Sequence, residues 1–507
     1  MGITGIVSNS TLMAQSLADM RSQLDDLQRQ LGSGQKSDSY AGVGIDRGLA
    51  VGLRTQLAAM SSFDDTITTV GAPLQIAQTT LGSIDTIRQT VKNATQLAPF
   101  DVDGTGQTTA QQNAKDQLDQ LLSLLNTRSG DRYLFSGKAV DTPATDTLSH
   151  ILDGDGSRAG FKQVMAERNQ ADLGANGLGR PVIPPPPPAG TVVSVSEDAA
   201  GSPFGLKLAS VTSNLTNAAV TGPSGSPASV SVDFTAGNPN PGDTIKFTFN
   251  LPDGTSQDLT LTATSSTPPG ANQFTIGATP DATAANLQTA LAGAVGTLAA
   301  TALAAASSVA AAKDFFNIDA AHPPQRVAGP PFTTATALTA GTPANTVSWY
   351  TGEAGSDPAR STAAARIDPT LTVSYGMRAN EQALANVVQN VAVYAAASFS
   401  SSDPNAQARY QALADRLGGA LGGNPGQQKV TDIEADLANT QAMLASTQTR
   451  HRQNSAVLNN LVDSIEGVSN EQVGAQLLTL NTQLQASLQT TALLLHTSLV
   501  NYLGTTG

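Results

Sequence analysis

The sequence predicts a mainly α-helical protein: a helical bundle or coiled coil built by both chain ends, with a strand-rich α+β domain inserted between them. Three observations predict it. Near the start, Met13, Leu17, Met20, Leu24, Leu27 and Leu31 recur at spacings of four and three, which holds them on one face of a helix. Near the end, Val473, Leu477, Leu480, Leu484, Leu488, Thr491, Leu495 and Leu499 repeat that alternation. The middle carries a proline run and short alternating stretches instead.

The elements follow in order. The first helix should stop at Gly32-Ser33-Gly34, where glycine takes up the left-handed backbone that ends a helix. A second pattern runs from about Asp46 towards Leu97 through Leu53, Leu57, Met60, Ile67, Leu74, Leu81, Ile84 and Val91, and Pro73 is expected to kink or split it. A third helix follows near Thr108 to Thr127, carrying Leu118, Leu121, Leu122 and Leu125. Pro184 to Pro188 form a stiff extended connector. TVVSVS and ASVSVDF read as strands. In DTIKFTFNLPDGTSQDLTLTA, Ile245, Phe247 and Phe249 alternate, Pro252-Asp253-Gly254 turns, and Leu259 and Leu261 return, so a hairpin is expected. An alanine-rich helix and the strand-like pieces VSWYTG and LTVSY complete the insertion.

Towards the end, Asp403 before Pro404 should cap a helix running through Leu417. Thr431-Asp432-Ile433-Glu434 and Ser469-Asn470-Glu471-Gln472 both read as capping boxes. A long polar helix lies between them, with Ile433, Leu437, Leu444, Val457, Leu458, Leu461 and Ile465. The expected division is a helical region over 1–170, an insertion over 190–350, and a second helical region over 360–507 that pairs with the first.

Composition excludes several classes. The net charge of −13 argues against nucleic-acid binding, which needs a basic face to displace counterions. Absence of cysteine removes disulfides and thiolate chemistry. MGITGIVSNSTLMAQS has neither a basic leader nor a continuous apolar core, so a cleavable signal peptide is not expected. No membrane span of ~18 apolar residues is expected either. Charged residues are only 13% of the chain, so uncharged polar groups must cover most of the surface.

Motifs that suggest chemistry fall short of it. LGSGQKSDSYAGVGIDRG lacks phosphate-loop spacing, because Gln35 separates Gly34 from Lys36, and Gly42-Val43-Gly44 has no third glycine at the dinucleotide spacing. Asp101-Val102-Asp103-Gly104 and Asp153-Gly154-Asp155-Gly156 do not complete a calcium loop and read as turns. His150, His322, His451 and His496 are scattered. His451, between Arg450 and Arg452, reads as part of a solvated helix face, and Asp25-Asp26 and Asp64-Asp65 as exposed carboxylates. The expectation is therefore a protein that is not an enzyme and has no metal or cofactor.

With the two ends laid out, a resemblance emerges. Leu31-Gly32-Ser33-Gly34-Gln35-Lys36 resembles the turn that ends the N-terminal heptad helix of the flagellin family. Asn126-Thr127-Arg128-Ser129-Gly130-Asp131-Arg132-Tyr133-Leu134-Phe135-Ser136-Gly137, after the third helix, is similar to a run found in that family's hook-associated branch more than to filament flagellin. Ile465-Glu466-Gly467-Val468-Ser469-Asn470-Glu471 and the helix through Leu499-Val500-Asn501-Tyr502-Leu503 resemble the family's terminal helix, with Gly467 where Asp is usual.

The resemblance implies an elongated fold whose paired ends form the inner tube of the flagellar shaft, with the insertion pointing outwards. It implies a junction subunit between hook and filament, exported unfolded through the flagellar type III channel without a cleavable leader. Its partners would be copies of itself in a ring or tube, other hook-associated proteins, flagellin and an export chaperone, with no nucleic acid and no membrane. Filament flagellin is the nearest alternative, and a secreted adhesin or enzyme acting through the insertion is one from another class. A 3–4 stripe also suits an ordinary core-facing helix. The family signatures turn the two seams into an expected assembly interface.

Overall fold

The computed structural model describes residues 3–318, 322–423 and 425–503, with side chains described between 11 and 493 of those ranges except at position 40. The helices are α1 (Ile3–Ser33), α2 (Arg47–Leu97), α3 (Thr109–Leu125), α4 (Leu148–Asp153), α5 (Phe161–Leu173), α6 (Pro280–Leu298), α7 (Ala304–Phe316), α8 (Gln382–Ala396), α9 (Ala406–Gly422), α10 (Val430–Glu466) and α11 (Asn470–Leu503). The strands are β1 (Arg128–Ser129), β2 (Arg132–Tyr133), β3 (Val192–Ser196), β4 (Lys207–Ser213), β5 (Ala219–Ser224), β6 (Ser229–Asp233), β7 (Thr244–Asn250), β8 (Ser256–Thr264), β9 (Gln273–Thr275), β10 (Gln325–Val327), β11 (Leu338–Ala340), β12 (Ala364–Asp368) and β13 (Leu371–Ser374). The protein is mainly helical, with long helices at both chain ends and small sheets between them, as the periodicities predict. α2 runs unbroken through Pro73, so the expected split does not occur.

Two compact units result: Met1–Thr69 with Arg366–Thr372 and Ala442–Gly507, and Val70–Ala365 with Val373–Gln441. In the first, α1 packs against α11. The early part of α2 runs antiparallel to the late part of α10: Arg54 meets Glu466, Ser455 Oγ lies 3.5 Å from Met60 Sδ, and His451 Nδ1 lies 2.8 Å from Asp64 Oδ1. Here the sequence reading of His451 is overturned. It is 2% exposed, and Asp64 is half-buried beside it. The reason lies in helical phase: Leu444, Thr447, His451, Leu458 and Val462 share one face, whereas Arg450 and Arg452 flank it in solvent.

In the second unit, α3 lies along α8. Thr108 and Gln111 form a reciprocal capping box that the sequence reading passed over. The buried Gln111 amide also donates to the carbonyls of Tyr394 (3.0 Å) and Ala397 (2.9 Å), closing the C-terminal end of α8. The caps expected further on differ in detail. α9 begins at Ala406, so Pro404 precedes it, and Asp403 Oδ1 accepts from Asn405 N at 2.9 Å. α10 begins at Val430, with Asp432 accepting from Lys429 N. Ser469 does cap α11, accepting from Gln472 N at 3.4 Å.

Two sheets, in orders β3-β6-β5 and β4-β7-β8-β9, share one apolar core with α6. The expected hairpin is β7–β8, with Phe247 opposite Leu259 and Ile245 opposite Leu261. All pairings in these sheets are antiparallel except β8–β9. VSWYTG forms no strand. Trp349 is instead buried, with Nε1 donating to Phe316 O at 2.7 Å. Against the sequence expectation, Pro280–Phe316 is long and apolar enough to cross a membrane. Its apolar side lies inside the protein, where Leu287, Leu291, Val295, Ala299 and Leu303 join the sheet core. A π-helical turn, Ala299–Leu303, joins α6 to α7.

Candidate assembly site

In the first unit the seam of α1 faces that of α11. Met13, Leu17, Met20, Leu24 and Leu27 are half-buried; Leu477 and Leu484 match them, while Val473 and Leu480 are buried. Leu31 and Leu488 each remain 42% exposed. The side chains of Leu495, Leu499 and His496 lie outside the described residues. One partner helix covers only one side of a seam, so apart from Val473 and Leu480 its described residues stop short of the burial a bundle core gives. Leu12, Leu478 and Leu493, off the seam, are exposed. Gln23, Gln30, Gln476 and Gln483 line a groove of about 490 Å³ between the helices, with Leu27 and Leu480 beneath them. Asp26 is the charged residue of the groove, and Arg29 on the same helix pairs with it at 2.6 Å, so little net charge holds copies of the chain apart there.

The two helices are joined at their common end by a backbone knot. α1 closes at Gly34, whose φ is +70° and whose N–H donates to Gln30 O at 2.8 Å. Gln35 then pairs with Gly467 as an antiparallel bridge: Lys36 N donates to Glu466 O (2.7 Å) and Val468 N to Gly34 O (3.1 Å). Lys36 Nζ reaches Ile465 O at 2.6 Å, and Arg54 grips the buried Glu466 carboxylate, with Nε at 3.1 Å from Oε1. The glycine-rich break near the chain start is thus half of a joint whose other half comes from the opposite end. Gly467 is required there by space, because a Cβ would collide with the carbonyl oxygen of Asp463. Gly467→Ala is therefore expected to open the knot and speed limited proteolysis between residues 33 and 37 by at least several-fold, without slowing cleavage elsewhere.

The run Tyr133-Leu134-Phe135-Ser136-Gly137 lies in the second unit and faces inward. Phe135 and Ser136 are buried, and Ser136 Oγ donates to Thr142 O at 2.6 Å. Ala379 N donates to Phe135 O (2.8 Å) and Gly137 N to Met377 O (3.0 Å), so the run joins the segment before α3's partner helix α8. Gly137 has a φ of +64°, and a Cβ there would strike Glu353.

The motifs that suggested chemistry are turns and surface groups among the described residues. Among the described residues no three His, Asp or Glu side chains converge on a metal-sized point. The carboxylates of both calcium-like stretches already accept from their own turns: Asp103 Oδ1 from Thr105 N at 2.8 Å and Asp155 Oδ1 from Arg158 N at 2.7 Å. Those bonds hold both carboxyls below the usual carboxylate range, through Thr105 first for Asp103 and Arg158 first for Asp155. A cavity of about 630 Å³ in the second unit is lined by Met165, Leu303, Phe399 and Leu413, and its cations are engaged: Lys162 with Asp153 (2.7 Å) and Arg409 with Asp403 (3.0 Å).

These features define a class: a helical protein whose two chain ends fold as one paired element with everything else threaded between them. Residues 6–140, from α1 through the Phe135 turn, match the family described as the bacterial flagellin N-terminal helical region. That match supports the flagellin family, whose members are structural, self-assembling components of flagella outside the cell. No curated protein matches the chain.

Proposed function

We propose that this protein is the hook-associated junction subunit of a bacterial flagellum, joining hook to filament. The observation that carries the flagellar reading is the half-covered seam between α1 and α11, in a chain whose first 140 residues include the flagellin N-terminal match. Copies packed around an axis cover the leucines of Met13 to Leu31 and Val473 to Leu499 and order them, trading chain entropy for buried apolar area. The Tyr133-Leu134-Phe135-Ser136-Gly137 run favours the junction over the filament. In this reading the regions 1–170 and 360–507 form the shaft, and 190–350 projects outwards. Neighbouring hook-associated proteins bind one side and flagellin the other, and an export chaperone holds the unfolded chain before secretion.

Immunogold labelling of isolated flagella tests this. A single collar of label at the hook–filament boundary is the expected result. Label along the whole filament would make the protein its flagellin, and label confined to cells or medium would refute the flagellar role.

A further inference from the structure

Neither the seam nor the knot makes use of His451, the buried histidine of α10. Its ring lies between two carboxylates from other parts of the first unit: Nδ1 is 2.8 Å from Asp64 Oδ1 on α2, and Nε2 is 3.3 Å from Asp368 Oδ2, the last residue of β12, in the hairpin tip 366–372 where β12 turns into β13. The Phe63 ring packs beside it, centroids 6.2 Å apart. Four charged groups surround the arrangement. Asp64 and Asp368 face the ring, Arg450 of α10 stands behind Asp368 at 2.8 Å, and Arg366 is tied to the turn's own carbonyls of Asp368 and Pro369.

We propose that His451 is a proton-operated latch, fastening the 366–372 turn to α2 and α10 while its ring carries two protons and releasing the turn when the ring is neutral. An ionised carboxylate only accepts, so each contact requires an N–H on the nitrogen it faces. Imidazolium has two such groups and neutral imidazole one. A neutral ring must therefore leave one nitrogen lone pair against a carboxylate oxygen, and the ring itself is buried, so the mismatch is costly. The longer contact, to Asp368, is the one expected to yield. The carboxylates approach opposite edges of the ring, so they cannot share a metal ion with it, which leaves the proton as the ligand of this cluster.

The acceptor on the turn does not itself titrate in the same range. Asp368 is held down to about 2, by the hydrogen bond from Arg450 first and with help from Thr370 and His451. Its contribution is present above the ordinary aspartate value and lost only as pH falls through about 2. Histidine is the side-chain type whose charge changes nearest neutral pH, where the Asp368 carboxylate is ionised. Within the turn, Thr370 N lies 3.3 Å from Asp368 Oδ1 and Arg366 bonds the carbonyls of Asp368 and Pro369, so Asp368 is the side chain through which His451 acts on the segment.

Hydrogen–deuterium exchange on the full chain, corrected for the chemical rate at each pH, tests the latch. Amides of 366–372 are expected to be about tenfold better protected at pH 5.5 than at pH 8, the factor for one hydrogen bond to a charged group. His451→Gln, which keeps a donor and an acceptor but gains no proton, should abolish that difference. Arg450→Gln alters an exposed residue and leaves His451 as the remaining charged α10 contact to Asp368, so the difference should grow. Equal wild-type protection at both pH values overturns the proposal, as does a His451→Gln protein that keeps the tenfold change. Should His451→Gln fail to fold, an unchanged ratio in Arg450→Gln overturns it and a larger ratio upholds it.

Discussion

Leu480→Asp is expected to abolish assembly while leaving the second unit folded. Leu480 is 7% exposed at the floor of the groove between α1 and α11, beside Leu27 and below the rim residue Asp26. A carboxylate there loses the leucine's burial and is itself partly desolvated; together these cost about 3 kcal/mol or more. Two helices paired along one seam have no surplus to absorb that, since isolated helices in water are marginal. Sedimentation should show monomer only, and α1 amides should exchange at rates near those of an open chain. Trp349, the chain's single tryptophan, is buried in the second unit, so its fluorescence should not change. Leu478→Asp separates pairing within the chain from contact between copies. Leu478 is 76% exposed, so the helix pair should keep its exchange protection while assembly weakens. A Leu478→Asp protein that assembles as readily as the wild type would show that neighbouring copies do not cover this face.

What the sequence revealed of this fold depended on how each element is buried. α1, α11 and β7–β8 each bury one apolar face and expose a polar one, so spacings of three and four, or of two, betray them. α8 has twelve buried residues, including Val387, Val388, Val391, Ala392 and Tyr394, spread round the whole helix, and a helix buried on all sides carries no stripe to read. α5 was illegible for the opposite reason. Its buried positions include Glu167, Arg168 and Asp172, so its inner face looks like an outer one. His451 was misplaced by its neighbours' charge although its spacing from Leu444 and Leu458 put it on the inner face. Of the assembly site, both seams were visible as patterns. The knot was not, because it is made by backbone groups of Gly34, Lys36, Glu466 and Val468, more than four hundred residues apart in sequence, and single-chain periodicity carries no information on such pairing.

Arg168→Met should be the most destabilising single change in the second unit. The guanidinium of Arg168, buried on α5, donates through Nε to Asp172 Oδ2 (2.9 Å), through Nη1 to Asp314 Oδ2 of α7 (2.6 Å) and through Nη2 to Pro203 O (3.2 Å), and stacks 5.0 Å from the Phe204 ring centroid. Methionine nearly conserves the volume but leaves two carboxylates in a site built around their shared cation. Removing one member of such a buried network costs about 3–5 kcal/mol, far more than an exposed pair is worth. The loss should appear as a lower urea midpoint in Trp349 fluorescence, because Trp349 is bonded to Phe316, two residues beyond Asp314. The pH response gives a second signature. Burial already pushes Asp172 and Asp314 above the usual aspartate range, with Arg168 as the leading opposing influence. Without Arg168 both must rise further. A carboxyl raised in the folded state binds protons more readily folded than unfolded, so its stabilising share is complete at low pH and is lost as pH rises through the folded value. The variant should therefore regain stability as pH falls from 8 towards 5, while the wild type changes less over the same range. A deficit independent of pH would mean that lost packing against Phe204, and not two stranded carboxylates, explains the effect.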